Sequence, residues 1–222
     1  MLNNMDQNKL PKSGKKRWVF GSALFGTGII FSGIFSVVSA APMTIDGATL
    51  AKEKCAVCHG STGNSTYDEV PSIASLSKFY FVERIKAFRS GDNPSRKFKP
   101  EGFYETNMRA ILKDMSDREI EALADYFGSQ YFEPRKQDFD AELAKKGKLI
   151  YRRYCKKCHS NNGSNPRDDA GILAGQSTVY LKKQLIYFKE GTRIQDDKMA
   201  LAFKKLKEGD IEKLLHFFAQ QQ

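Results

Sequence analysis

The pentad Cys55-Ala-Val-Cys-His59 recurs as Cys155-Lys-Lys-Cys-His159, 100 residues further on. No other feature constrains the chain as strongly, because these two pentads use all four of its cysteines. The repetition extends past the motif. Ser77-Lys-Phe-Tyr80 matches Ser177-Thr-Val-Tyr180, and Ala87-Phe-Arg-Ser-Gly91 matches Tyr187-Phe-Lys-Glu-Gly191, both at the same offset. Further on the offset falls to 91, where Met108 pairs with Met199 and Ile120-Glu121 with Ile211-Glu212. The first copy therefore carries nine extra residues between Gly91 and Met108. So long a period is not that of a solenoid; it describes two small domains of one kind. The division falls at 41–133 and 134–222, with Glu133-Pro134 as the linker, since proline stops the helix before it.

Each copy reads as helical. One helix leads into the cysteine motif, a second runs from about Phe79 to Ser90 (Tyr180 to Glu190), and a third closes the copy. In the first closing helix, Ser116 and Glu119 have capping-box spacing, and Ile120, Leu123, Ala124 and Phe127 fall on one face. In the second, Asp210 can cap, and Ile211, Leu214, Leu215 and Phe218 repeat that face. No stretch alternates at period two for long, so the body is expected to be all-α. About 90 residues per copy is marginal for an unaided core, and a large buried apolar cofactor would help.

Residues 1–40 read as an address rather than as part of the fold. Lys9, Lys12, Lys15, Lys16 and Arg17 precede an uncharged run from Trp18 to Ile45, and Val38-Ser39-Ala40 resembles a cleavage site. The segment is either a cleaved secretory signal or an anchor retained through residues 18–40. Either way the body is expected outside the cytoplasm, in the periplasm.

Cys-x-x-Cys-His is the attachment signature of c-type haem. Two thiols one turn apart can each add across a vinyl group, and the adjacent imidazole then lies under the iron. Cys55, Cys58, Cys155 and Cys158 are thus candidates to attach two haems, with His59 and His159 as iron ligands. Two alternatives use the same residues: one zinc site of four thiolates, or a redox disulfide in each pair. Each pair has its own histidine and heads its own repeat, which a shared zinc site does not need.

The iron then needs a sixth ligand, or else is open for small-molecule chemistry, and counting narrows the candidates. The third histidine, His216, lies on the last helix and reads as a partly exposed helix residue. Met199 is the only methionine of the second copy downstream of its motif, and Met108 is its repeat partner, so the two are candidate ligands, with gap-filling core residues as the alternative. Met115 stands at a leucine position and reads as core. His/Met ligation raises the potential and fills both axial places, which suits electron transfer rather than substrate binding. A ligating histidine also needs its other N–H held. The matching segments Pro71-Ser-Ile-Ala74 and Gly171-Ile-Leu-Ala174 could each supply a backbone carbonyl, or could be ordinary turns.

These residues resemble the tandem dihaem cytochromes c of bacteria. More narrowly, the body is similar to the cytochrome subunit of flavocytochrome c sulfide dehydrogenase. The haem motifs are generic; Pro134-Arg-Lys-Gln-Asp-Phe-Asp140 and Ile172-Leu-Ala-Gly-Gln176 are the specific stretches. The resemblance implies two cytochrome c-like domains, each with one covalent haem c, and axial ligands His59, Met108, His159 and Met199. It implies a separate FAD-containing subunit that oxidises sulfide, and an external acceptor such as another cytochrome c. This chain would relay electrons without oxidising sulfide itself. The other expectation is a stand-alone dihaem carrier, periplasmic or membrane-anchored, serving a terminal oxidase. Residues 92–107, with Arg96, Lys97 and Lys99, are longer than that family leads one to expect. They are either a tolerated surface insertion or a change in the docking surface.

Formal charge is +10, unevenly spread. Residues 41–133 hold 12 basic and 14 acidic side chains; residues 134–222 hold 19 and 11. The second copy is either a face for an acidic partner or anionic surface, or simply a solvated lysine-rich surface. Net charge alone does not point to nucleic acid.

Overall fold

The computed structural model describes residues 45–222, so the expected leader over residues 1–40 lies outside the described residues. The fold is all-helical, as expected. Among the described residues the only β pairing is a single bridge between Phe98 and Thr106, and no helix is long and apolar enough to cross a membrane. The first half comprises α1 (Gly47–Lys54), α2 (Ala56–His59), α3 (Lys78–Ser90), α4 (Met108–Leu112) and α5 (Asp117–Ser129). The second comprises α6 (Ala141–Tyr154), α7 (Thr178–Glu190), α8 (Asp197–Phe203) and α9 (Asp210–Ala219).

Each half is built on a crossing of its first and last helices, α1 on α5 and α6 on α9. Glycines at equivalent positions permit the crossings. A β-carbon on Gly47 would lie 2.2 Å from the Ala122 carbonyl oxygen, and one on Gly147 only 2.0 Å from that of Lys213. The apolar face of α5 closes one core, where Ile120, Leu123, Ala124 and Phe127 pack with Leu50, Phe81 and Leu112. The face of α9 closes the other, with Leu214, Leu215 and Phe218 against Tyr151, Leu181 and Phe203. Met115 is buried in the first core, as its leucine position suggests. Ile172, although from the second copy, also belongs to that first core.

The Ser116 hydroxyl accepts from Glu119 N–H, and the Glu119 carboxylate accepts from Ser116 N–H, completing the capping box. Ser116→Ala is expected to cost about 1 kcal/mol in a thermal or denaturant unfolding experiment. Asp210 behaves differently from its sequence reading. Gly209, at φ 75°, takes the N-cap position of α9, and Asp210 turns back to accept from Lys207 N–H at 3.0 Å and to pair with Lys213. The glycine turn leaves the carboxylate one residue too late to cap.

The segment joining the halves is pinned along its length. Arg135 donates its N–H to Gly175 O (2.8 Å) and its Nη2 to Ser65 O (2.7 Å), and pairs with Asp68. Gln137 donates to Gln176 O and accepts from Thr178 N–H, while Gln222 brackets the Gln137 backbone. Residues 92–107 are also ordered by local contacts. Phe98 packs edge-on against Tyr67, and Ser95 accepts from Arg109 N–H. The segment ends on Asn107, whose side chain caps α4.

Candidate haem sites

Both pentads form a single tight turn at the end of a helix. In the first, Cys58 and His59 donate their N–H groups to Cys55 O at 3.1 and 2.9 Å; in the second, Cys158 and His159 donate to Cys155 O at 3.1 and 3.0 Å. The turn brings each pair of thiols and its imidazole to one place. All four thiols are free, and Cys158 is exposed. Burial, with the neighbouring Cys58 thiol second, pushes Cys55 up to about 12; burial and Cys158 do the same for Cys155. Thiols held neutral in this way lack the raised acidity of redox-active pairs. A shared zinc site is not assembled either. Among the described residues no group of three or more His, Cys, Asp or Glu side chains converges as metal ligands.

The histidines are oriented in the same way in the two halves. His59 Nδ1 lies 2.9 Å from Pro71 O, and His159 Nδ1 lies 3.2 Å from Gly171 O. A carbonyl oxygen only accepts, so Nδ1 carries the proton and Nε2 keeps the lone pair that a metal needs. These are the two carbonyls anticipated from the matching segments. The loops that carry them are fixed by Gly63 O, which accepts from Ile73 and Ala74, and by Gly163 O, which accepts from Leu173 and Ala174. Burial lowers the affinity of both imidazoles for a second proton. In the second half Tyr151 also donates its hydroxyl to His159 O at 2.5 Å.

Met108 is the first residue of α4 and Met199 the third of α8. Each is half-buried and packs against the core of its own half. The two short helices differ in length and in cap, so the methionines are equivalent in sequence and in core but not in helical register. His216 is 23 % exposed at its side chain, accepts from Asp140 N–H at 3.0 Å, and faces Glu212. It fastens the start of α6 to α9, as befits a partly exposed helix residue.

The sequence reading missed a cationic cluster. Arg84 and Arg193 each have a buried Nε without a hydrogen-bond partner. Among the described residues neither guanidinium meets a carboxylate within 4.0 Å. Arg84 donates to Ile194 O and lies over the Tyr80 ring; Arg193 lies over Phe188, beside the Tyr180 and Tyr80 phenols. Arg193 is only 5 % exposed. A guanidinium so deeply buried calls for an anion. Nothing in the spacing announces this, because the repeat partner of Arg193 is Asn93. The donor set, with free thiols, lone-pair imidazoles and uncompensated cations, fits a covalently attached group that coordinates through iron and carries carboxylates.

A family profile described as cytochrome c matches residues 45–130. A cytochrome c4 from Stutzerimonas stutzeri is 34% identical over 180 residues, covering 72% of this chain and 80% of that one. The chain belongs to the cytochrome c family and is cytochrome c4-like. The crystal structure of reduced recombinant cytochrome c4 from Pseudomonas stutzeri superposes with a TM-score of 0.65 at 29% identity, covering 79% of this chain and 97% of that one. The cytochrome subunit of sulfide dehydrogenase from Chlorobaculum tepidum is more distant, 29% identical over 104 residues, covering 47% of this chain and 84% of that one. This c4-like cytochrome is thus a dihaem c-type electron carrier. The narrower likeness to a sulfide dehydrogenase subunit holds over a smaller part of it.

Proposed function

We propose that the protein is a two-haem electron relay of the periplasm, exported by its leader and folded as haem domains 41–133 and 134–222. Cys55 and Cys58 attach one haem c, Cys155 and Cys158 the other. His59 and Met108 ligate the first iron, His159 and Met199 the second. The observation that carries this reading is the pair of equivalent turns, each presenting two thiols and an imidazole whose Nδ1 is held by a carbonyl. The bound haem supplies reversible one-electron chemistry at iron. The chain's own residues fix the imidazoles, exclude water and set the charge nearby. Arg84 and Arg193 hold the propionate carboxylates, which explains their unpaired Nε atoms.

The donor we assign is an FAD-containing sulfide dehydrogenase subunit, and the acceptor another cytochrome c. The Pro134–Asp140 and Ile172–Gln176 stretches support this, as does the likeness to a named sulfide dehydrogenase subunit. The second reading is a stand-alone carrier to a terminal oxidase, favoured by the broader match to cytochrome c4. Purification from native cells at low salt separates them. Two haems per chain, bound flavin and rapid anaerobic reduction by sulfide establish the first. Two haems without flavin or a response to sulfide establish the carrier.

The basic second half supports an acidic partner surface. Raising ionic strength from about 10 mM to about 200 mM is expected to slow electron exchange with the physiological partner by about tenfold or more. A rate independent of salt removes the charge-steering proposal.

A further inference from the structure

We propose that Gln176, a residue of the second half, is a positioning residue that tunes the first haem through the Pro71–Ser72 peptide. The inference rests on the reading of His59 and His159 as iron ligands. Gln176 is 4 % exposed, and its side-chain amide closes a two-point contact with Ser72. Oε1 accepts from Ser72 N–H at 2.8 Å, and Nε2 donates to Ser72 O at 2.9 Å. Ser72 N–H and Pro71 C=O are the two ends of one peptide group. Pro71 O is the acceptor that holds His59 Nδ1–H at 2.9 Å.

The result is an unbroken chain of hydrogen bonds from Gln176 Oε1, through one peptide, to the His59 ring. Bonds in such a chain polarise one another. An acceptor on the peptide N–H makes its carbonyl oxygen more negative. That oxygen then draws the imidazole proton more strongly and makes Nε2 more basic. A more basic axial ligand favours ferric iron and lowers the potential.

The second half lacks this device. The repeat partner of Gln176 is Leu76, and that of Ser72 is Ile172, which packs into the first core. Gly171, whose carbonyl holds His159, is instead met by Tyr80. A β-carbon there would lie 2.7 Å from the Tyr80 hydroxyl. Its hydrogen bond to His159 is also the longer of the two, at 3.2 Å. Each half thus has its histidine-bearing loop gripped by the other, but only the first loop is gripped by a polar group acting on the critical peptide. Two identical ligand sets are in this way made unequal.

The test uses the full-length holoprotein with Gln176→Met, which keeps length and removes both bonds. Each haem is followed by its own paramagnetically shifted ring-methyl signals during a redox titration. At a fixed ambient potential, the ferrous-to-ferric ratio of the first haem is expected to rise about threefold, with the second haem nearly unmoved. The His59 Nδ1–H resonance should shift and exchange faster, and that of His159 should not. Gln176→Glu retains an acceptor for Ser72 N–H and should show no rise. If Gln176→Met does not accumulate as holoprotein, Gln176→Asn, one methylene too short to reach, carries the same expectation. A first haem whose ratio is unchanged, or two haems that move together, overturns the proposal. Failure of the ligand reading looks different: the unaltered protein would then lack a shifted His59 ring signal.

Discussion

Met199→Ala will lower the potential of the second haem by on the order of 0.1–0.3 V, a fraction of the ~0.8 V range that axial ligands span. It will also open the iron to carbon monoxide. Both effects follow from the proposed ligation, since a thioether stabilises ferrous iron and occupies the place a small ligand would take. Met108→Ala should do the same to the first haem. Met115→Ala is the discriminating control. That side chain is 7 % exposed in the first core and is not an assigned ligand. Its truncation should cost about 2–5 kcal/mol of stability and leave both spectra and potentials in place. Redox titration and carbon monoxide difference spectra of the three variants settle the matter. If Met199→Ala changes neither, the sixth ligand is another group.

Gly147→Ala should be the most damaging single-methyl change in the second half. The added carbon would sit 2.0 Å from the Lys213 carbonyl oxygen and 2.9 Å from the Phe217 β-carbon. Backbone cannot rotate aside as a side chain can, so α6 and α9 must part. Gly147 is the seventh of fourteen residues in α6, where no fraying end absorbs the shift. Alanine's better helix propensity returns about 1 kcal/mol, leaving a net loss of about 2–3 kcal/mol. The melting temperature should fall by about 5–10 °C. Gly47→Ala should cost less, because Gly47 is the first residue of α1 and that end can shift. Thermal unfolding of the two variants beside Lys146→Ala checks this. A Gly147→Ala protein as stable as the Lys146→Ala control would mean that the helices separate freely.

The closing helices were legible because their faces have a strict helical period and one begins with a capping box. The paired turns and even the carbonyls behind the histidines could be found, since the repeat places equivalent segments at a constant offset. The glycine crossings could not. A lone glycine in a helical pattern reads only as a weak helix former, and the carbonyl it admits belongs to a helix some 70 residues away. Asp210 was misread because the conformation of Gly209 decides which residue caps. Arg193 and Gln176 were invisible for a deeper reason. Both break the repeat, standing opposite Asn93 and Leu76, and their meaning arises only where the two copies meet.

The joining segment has a kinetic consequence. Arg135 ties it to Ser65 O in the first half and Gly175 O in the second, and Gln137 and Gln222 hold it to the second. It is a strut, with no slack for one half to swing against the other. With the two proposed haems in place, electron passage between their irons is expected to proceed by tunnelling and not by a search for a productive encounter. Thickening the solvent with glycerol or sucrose should slow the meeting with outside partners and leave the internal step at its own pace.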